Sequence, residues 1–361
     1  MEDIFAEEQT VILNFNQLSC DSEAKVLSSK AFRLTLMRYL NIIKRDNNVE
    51  YAWILNISSK TIINVYKLLV VWKYEQVIES IDGLISKDKR YSFYQFTENF
   101  YDYWRNLERF GLVSRLRSDD ESQTTTRLID VSDRFNELIL KLYRTITQNI
   151  LGKEFNLFRQ LPAGVNANFT VVSNPWTIGT AYDKLPSNSF VSSLLLRPPF
   201  MIYSKSNTRT GLFKEIFENP ATKLDLNKHD YVTFAVNVGP LLAYVYCHKR
   251  YLKYGVALGS LFELPSHMSF KNKKPDLLYI FGTTSEDYDG TYYHDKENDI
   301  YVGCVSLNDK NDYFGYAKKM LLTLHNVYMI HHNQLPIHGA MVQITFKNMK
   351  QKNVVVIGDS G

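Results

Sequence analysis

Hydrophobic spacing divides the chain near residue 150. Before it, apolar residues recur at helical intervals. Phe32, Leu36, Tyr39, Leu40 and Ile43 predict a helix over 28–46. KTIINVYKLLVVWKYEQVIESI predicts a second over 60–81, because no Gly or Pro interrupts it before Gly83. TENFYDYWRNLERFGLV predicts a third over 97–113 with Gly111 as its stop, and VSDRFNELILKLYRTITQNI a fourth over 131–150, capped by Ser132 or Asp133. The polar stretch 118–126 reads as a loop or hairpin tip. Helix, strand pair and helix in that order would make a winged-helix element within 90–150, with Arg105, Arg109, Arg115 and Arg117 as its basic edge. A helical packing domain is the favoured reading, since no recognition helix stands out.

After Leu151, Gly, Pro and Asn punctuate short apolar runs, which predicts strands and loops. Strands are expected at 192–197, 199–204, 231–238, 241–248, 276–283 and 299–307, with a hairpin tip near Glu297 to Asp299. NDYFGYAKKMLLTLHNVYMIHHN predicts one strong helix over 311–333, ended by Pro336, and 337–346 and 353–358 predict two further strands. The expected organisation is a mostly helical domain over 1–150 and a strand-rich α/β domain over 151–361.

Composition narrows the function classes. Forty-two basic and 38 acidic residues leave a net charge of +4, too balanced to require nucleic acid or an anionic membrane as partner. Cys20, Cys247 and Cys304 have no metal-binding spacing and are odd in number, which argues against a disulfide framework. The acidic start MEDIFAEEQTV lacks signal-peptide character, and no apolar run approaches the ~20 residues that span a bilayer. A soluble cytoplasmic protein is expected.

Candidate chemistry gathers at NVVVIGDSG, residues 353–361. The string GDSG also surrounds the nucleophile of trypsin-like proteases, but here nothing singles out a partner histidine and aspartate, and no paired cysteines accompany it. An apolar strand running into Gly358, Asp359, Ser360 and Gly361 suits a loop whose backbone amides face phosphate. In the pattern G-x-x-x-x-G-K-[ST], with Gly358 as its first glycine, the second glycine and the lysine would fall beyond Gly361.

The approach to this loop, LPIHGAMVQITFKNMKQKNVVVIGDSG, resembles that of the phosphoenolpyruvate carboxykinase and HPr kinase/phosphorylase families. There a strand carrying a histidine is followed by a second strand and then the phosphate loop. The matching residues are His338 and Gly339 on the first strand and Gly358 to Gly361 on the loop. The resemblance implies a mixed-sheet P-loop nucleotide-binding domain, here incomplete, following the helical region: an α+β or α/β chain. It implies ATP as cofactor with Mg²⁺ or Mn²⁺, Gly358, Asp359, Ser360 and Gly361 around the phosphates, and His338 as catalytic residue and metal ligand. The activity implied for a parent enzyme is conversion of oxaloacetate and ATP to phosphoenolpyruvate, CO₂ and ADP, a lyase of gluconeogenesis. HPr-kinase-like transfer to a protein serine or a small molecule is the alternative. A non-enzymatic regulatory module is the third reading. Residues 1–361 alone are expected to be inactive without the loop lysine. No carboxykinase-type arginine substrate motif is recognisable, so the departure bears on the carboxylation chemistry more than on the nucleotide site.

Other polar residues give weaker signals. His325, His331 and His332 share one predicted helix, while His248 and His294 lie at a strand end and in a hairpin. None shows metal-ligand spacing. Arg197, Lys205, Arg209 and Lys214 form a sparse basic series that reads as solvated surface, with an anionic substrate site as the alternative.

Overall fold

A computed structural model describes residues 4–5, 10–14, 22–80, 85–113, 121–152, 163–176, 180–187, 189–197, 200–209 and 211–358. Serine caps begin several of the early helices. Ser22, Ser29 and Ser58 hold extended backbones, and their hydroxyls accept from amides three residues on, such as Phe32 N at 3.1 Å. After strands β1 (Ile4–Phe5) and β2 (Thr10–Asn14) come helices α1 (Glu23–Ser28), α2 (Lys30–Arg45) and α3 (Ser59–Leu69). They are followed by α4 (Tyr74–Ser80), α5 (Arg90–Arg105), strand β3 (Glu108–Val113) and the long helix α6 (Glu121–Leu151). The predicted 60–81 helix is therefore two. Gln76 Oε1 accepts from Lys73 N at 3.0 Å, the back-reach that starts a new helix at Tyr74 without any Gly or Pro.

Three further expectations about this region are corrected. Gly111 is not a helix stop: α5 ends at Arg105 and Gly111 lies inside β3, paired with Leu13 and Asn168. Residues 121–126 are the first turns of α6 rather than a hairpin tip, and Ser132 and Asp133 lie within that helix rather than capping it. Among the described residues of 90–150 no wing forms, because β3 runs parallel between β2 and β4 (Ala167–Val172) in the main sheet. Arg115 and Arg117 fall outside the described residues. The sheet thus crosses residue 150, drawing strands from both sides of it.

The rest of the sheet comprises β5 (Phe190–Leu196), β6 (Lys214–Glu215), β7 (Tyr231–Val238) and β8 (Leu241–His248). Helices α7 (Leu252–Leu261) and α8 (His267–Phe270) follow, then β9 (Leu277–Thr283), β10 (Thr291–Asp295), β11 (Ile300–Ser306) and helix α9 (Phe314–His331). The eleven strands run in the order β1-β2-β3-β4-β5-β7-β8-β9-β11-β10-β6, with parallel pairs in the majority. Of residues 199–204, expected as a strand, 200–204 lie outside the sheet. There Tyr203 N donates to the Glu108 carboxylate at 3.1 Å instead of to a ladder partner.

The central strands are buried on both faces. Ala243, Val245, Leu277, Tyr279, Phe281, Tyr301 and Val305 pack under α7 and α9. The alternate residues Tyr244, Tyr246, Leu278, Ile280, Val302 and Cys304 pack on the other face against Trp176, Tyr182, Leu185, Leu226 and Phe270. Strands covered on both sides must read as continuous apolar runs. Helix α7 lies so close that a Cβ added at Gly255 would sit 2.4 Å from the Phe234 ring. A third cluster joins α1 to α6 with Val11 and Leu13 of β2. Among the described residues no helix is long and apolar enough to cross a membrane.

His248 closes β8, and its Nδ1 accepts from Arg250 N at 3.2 Å, a cap that requires the neutral ring. Burial holds its pKa down at about 4, against 6.5 for the free side chain. As pH falls from 6.5 towards 4 the unfolded chain takes up a proton that the native ring refuses, so stability is lost across that window, by about 3 kcal/mol at most. We expect His248→Asn, which keeps a capping acceptor, to flatten the loss of melting temperature between pH 7 and pH 4.5. An unchanged acid slope in thermal melts would contradict this role.

Candidate functional site

The strand–loop candidate stands apart from the main sheet. Helix α9 ends at His331, the chain turns at Asn333 in the left-handed region (φ 58°), and strands β12 (Gly339–Thr345) and β13 (Gln351–Ile357) form a separate antiparallel pair. Its turn is closed by Phe346 N donating to Lys350 O at 2.9 Å, with Met349 left-handed at φ 62°. Both strands were legible from their apolar runs.

The register carries the geometry. Seven pairs run from Thr345–Gln351 at the turn to Gly339–Ile357 at the open end. The open-end pair Gly339–Ile357 joins the residues next to His338 and Gly358, which lie twenty apart in sequence. Gly339 is required there, since a Cβ would lie 2.4 Å from the Val356 carbonyl oxygen. Gly358 is different: a Cβ would meet nothing within 4 Å. Close packing demands the first glycine and leaves the second facing open space. Asp359, Ser360 and Gly361 lie outside the described residues.

His338 is exposed and shares one face of the hairpin with Ala340, Val342, Ile344, Val354 and Val356. On the other face Gln343 Nε2 donates to Asn353 Oδ1 at 3.1 Å, nearer the turn. Among the described residues no group of three or more His, Cys, Asp or Glu could hold a metal ion, and His338 has no hydrogen-bond partner.

A histidine cluster unforeseen in the sequence anchors the hairpin's root. His294 Nε2 and His332 Nε2 lie 3.2 and 3.3 Å from the two oxygens of Asp299. Tyr301 Oη pairs with His331 Nδ1 at 3.0 Å, and His294 stacks on Tyr301 with ring centroids 4.1 Å apart. Adjacent His331 and His332 were visible as a pair. That they meet the tip of the β10–β11 hairpin depends on how α9 packs on β11, which local spacing does not encode.

The basic series does not converge. Lys205 pairs with Asp309 at 3.0 Å, Arg209 lies over the Phe213 ring at 5.0 Å, and Arg197 bonds Ser132 and Asp133 on α6. The buried thiols of Cys247 and Cys304 are free, and burial pushes both well above the ordinary cysteine range, so neither is an activated nucleophile. Comparison with known proteins gives no match to any family model, curated protein or solved structure.

An isolated two-stranded hairpin with both faces exposed has little to hold it. We expect amides of 340–357 to exchange with deuterium at least ~100-fold faster than those of β7, β8 and β9, which lie in the buried sheet. Comparable protection in both regions would show that the hairpin is packed elsewhere.

Proposed function

We propose that the open end of the β12–β13 hairpin begins a phosphate-binding loop, and that the protein acts as an ATP-dependent phosphotransferase of the carboxykinase type. The observation that carries this reading is the hairpin register, whose open-end pair, Gly339–Ile357, joins the residues next to His338 and Gly358. The open space around Gly358 supports it, because loop amides need room to approach a phosphate closely.

In this reading, amides from Gly358 onward hold the β- and γ-phosphates, and a lysine further along the loop reaches the same oxygens. His338 would hold Mg²⁺ or Mn²⁺ or face the group being transferred, and the ion would supply neutralisation of phosphate charge. Imidazole is a modest ligand for these hard ions, so an oxygen ligand must accompany it, and Asp359 is the nearest carboxylate in sequence. The acceptor in the carboxykinase reading is oxaloacetate, with a protein serine as the alternative. Catalysis would come mainly from positioning and charge neutralisation.

The test uses a protein carrying the loop through its lysine. Gly358→Val should fold with an unchanged melting temperature, since its side chain meets open space, yet weaken Mg·ATP binding at least ~10-fold by titration calorimetry. His338→Ala should leave nucleotide affinity within about threefold and lower turnover by ~10²–10⁴. Undiminished nucleotide binding by Gly358→Val, or full turnover by His338→Ala, would overturn the reading. Assays with oxaloacetate and with a serine-bearing protein would identify the acceptor.

A further inference from the structure

Far from the hairpin in sequence, a cavity of about 530 Å³ lies where α6 crosses the ends of β3 and β5. Arg109 lines it, and its side chain is 1% exposed. The strand puts it there: Arg109 pairs with Val11 of β2 and so points to the helix-covered face, while the next residue, Phe110, packs on the opposite one. Its Nη1 donates to the carbonyls of Trp104 and Leu107, the latter at 2.8 Å, and its Nε to that of Gly164. Among the described residues Nη2 has no acceptor, and no carboxylate pairs with this guanidinium.

The other two arginines at the cavity are already neutralised. Arg105 is held by Asp102 and Arg197 by Asp133. Arg109 is the exception, and burial pulls its pKa down to about 9. A buried cation with carbonyl dipoles but no counter-charge is costly unless something supplies one.

A second unpartnered group lies beside it. Asn136 of α6 is 8% exposed, and its Oδ1 is buried with no donor. It sits against Gly164, where a Cβ would lie 1.3 Å from Oδ1, so Arg109 and Asn136 meet on the same residue. The cavity therefore offers the unused Arg109 donor, while Asn136 Oδ1, sealed against Gly164, leaves a second uncompensated polar atom in the same wall. Glu137, exposed on the next position of α6, adds an unpaired carboxylate to the wall. Leu107, Leu140, Leu195, Leu196 and Met201 make the remainder apolar.

We propose that this cavity binds a zwitterionic α-amino acid with an apolar side chain. The ligand carboxylate takes Arg109 Nη2, its ammonium faces Glu137, and its aliphatic chain lies among the leucines and Met201. Among the described residues the wall holds one cation and one anion without a partner of opposite charge, which calls for one charge of each sign and disfavours di- and triphosphates. The volume falls in the range of small-molecule sites. The site shares no residue with the hairpin and stands whether or not that end binds nucleotide.

The test is thermal melting and calorimetry of the full chain with L-leucine. We expect saturable binding that raises the melting temperature, and at least ~10-fold weaker binding of 4-methylpentanoate, which lacks the ammonium, and of isopentylamine, which lacks the carboxylate. Arg109→Met removes a buried charge but also the donor to three carbonyls, so its unliganded melting temperature is measured first, and the folded variant should show no leucine binding. Glu137→Gln, at an exposed position, should fold normally and weaken leucine ~3–10-fold. Three outcomes would overturn the proposal: no response to leucine at 10 mM, equal affinity for the des-amino analogue, or undiminished binding by Arg109→Met.

Discussion

The structure depends on burying β7, β8, β9 and β11 on both faces at once. Two adjacent residues on such a strand serve different cores: Tyr244 packs with Trp176 and Phe190, while Val245 packs under α7 and α9. A one-residue slip would exchange every pair of neighbours between cores that differ in size and polarity. Buried tyrosines make the arrangement specific, because each hydroxyl needs a partner. Tyr244 donates to Lys273 O at 2.7 Å, Tyr231 to Gly282 O at 2.8 Å, and Tyr246 accepts from Trp176 Nε1 at 3.0 Å. Register and hydrogen bonding thus enforce each other.

That frame fixes α9, and α9 fixes the hairpin root. Met320 and Leu324 fill the space above Gly303, where a Cβ would lie 2.7 Å from the Met320 sulfur. At the helix end, His331 and His332 engage Tyr301 and Asp299 before the chain leaves the sheet. The hairpin leaves the sheet from this root, and its own register sets the Gly339–Ile357 pair at its open end. The Arg109 cavity belongs to a different part of the frame, the seam between the helical layer and the sheet.

What the sequence made legible were elements whose signal is local. The spans 231–238 and 241–248 appear as mostly apolar runs around a Gly-Pro turn, and both strands form over those residues. The histidine–glycine strand and the loop strand were legible for the same reason. Strand β3 was not, because Glu108 and Arg109 break its apolar pattern and tertiary pairing with β2 and β4 prevails over it. The first turns of α6, rich in Ser and Thr, offered no helical stripe. Arg105, Arg109 and Arg197 were visible as basic residues. Their meeting at one cavity, two of them paired and one not, depends on long-range contacts.

The central claim is that His338 and Gly358 form one phosphate-facing site. It is tested most directly by heteronuclear NMR of a chain labelled at glycine, histidine and arginine and carrying a complete phosphate loop, titrated with Mg·ATP. The account predicts that the Gly358 amide and the His338 ring resonances move together along one saturation curve, while the Arg109 side-chain signals stay still. Saturable ATP binding that leaves both Gly358 and His338 unmoved would contradict it.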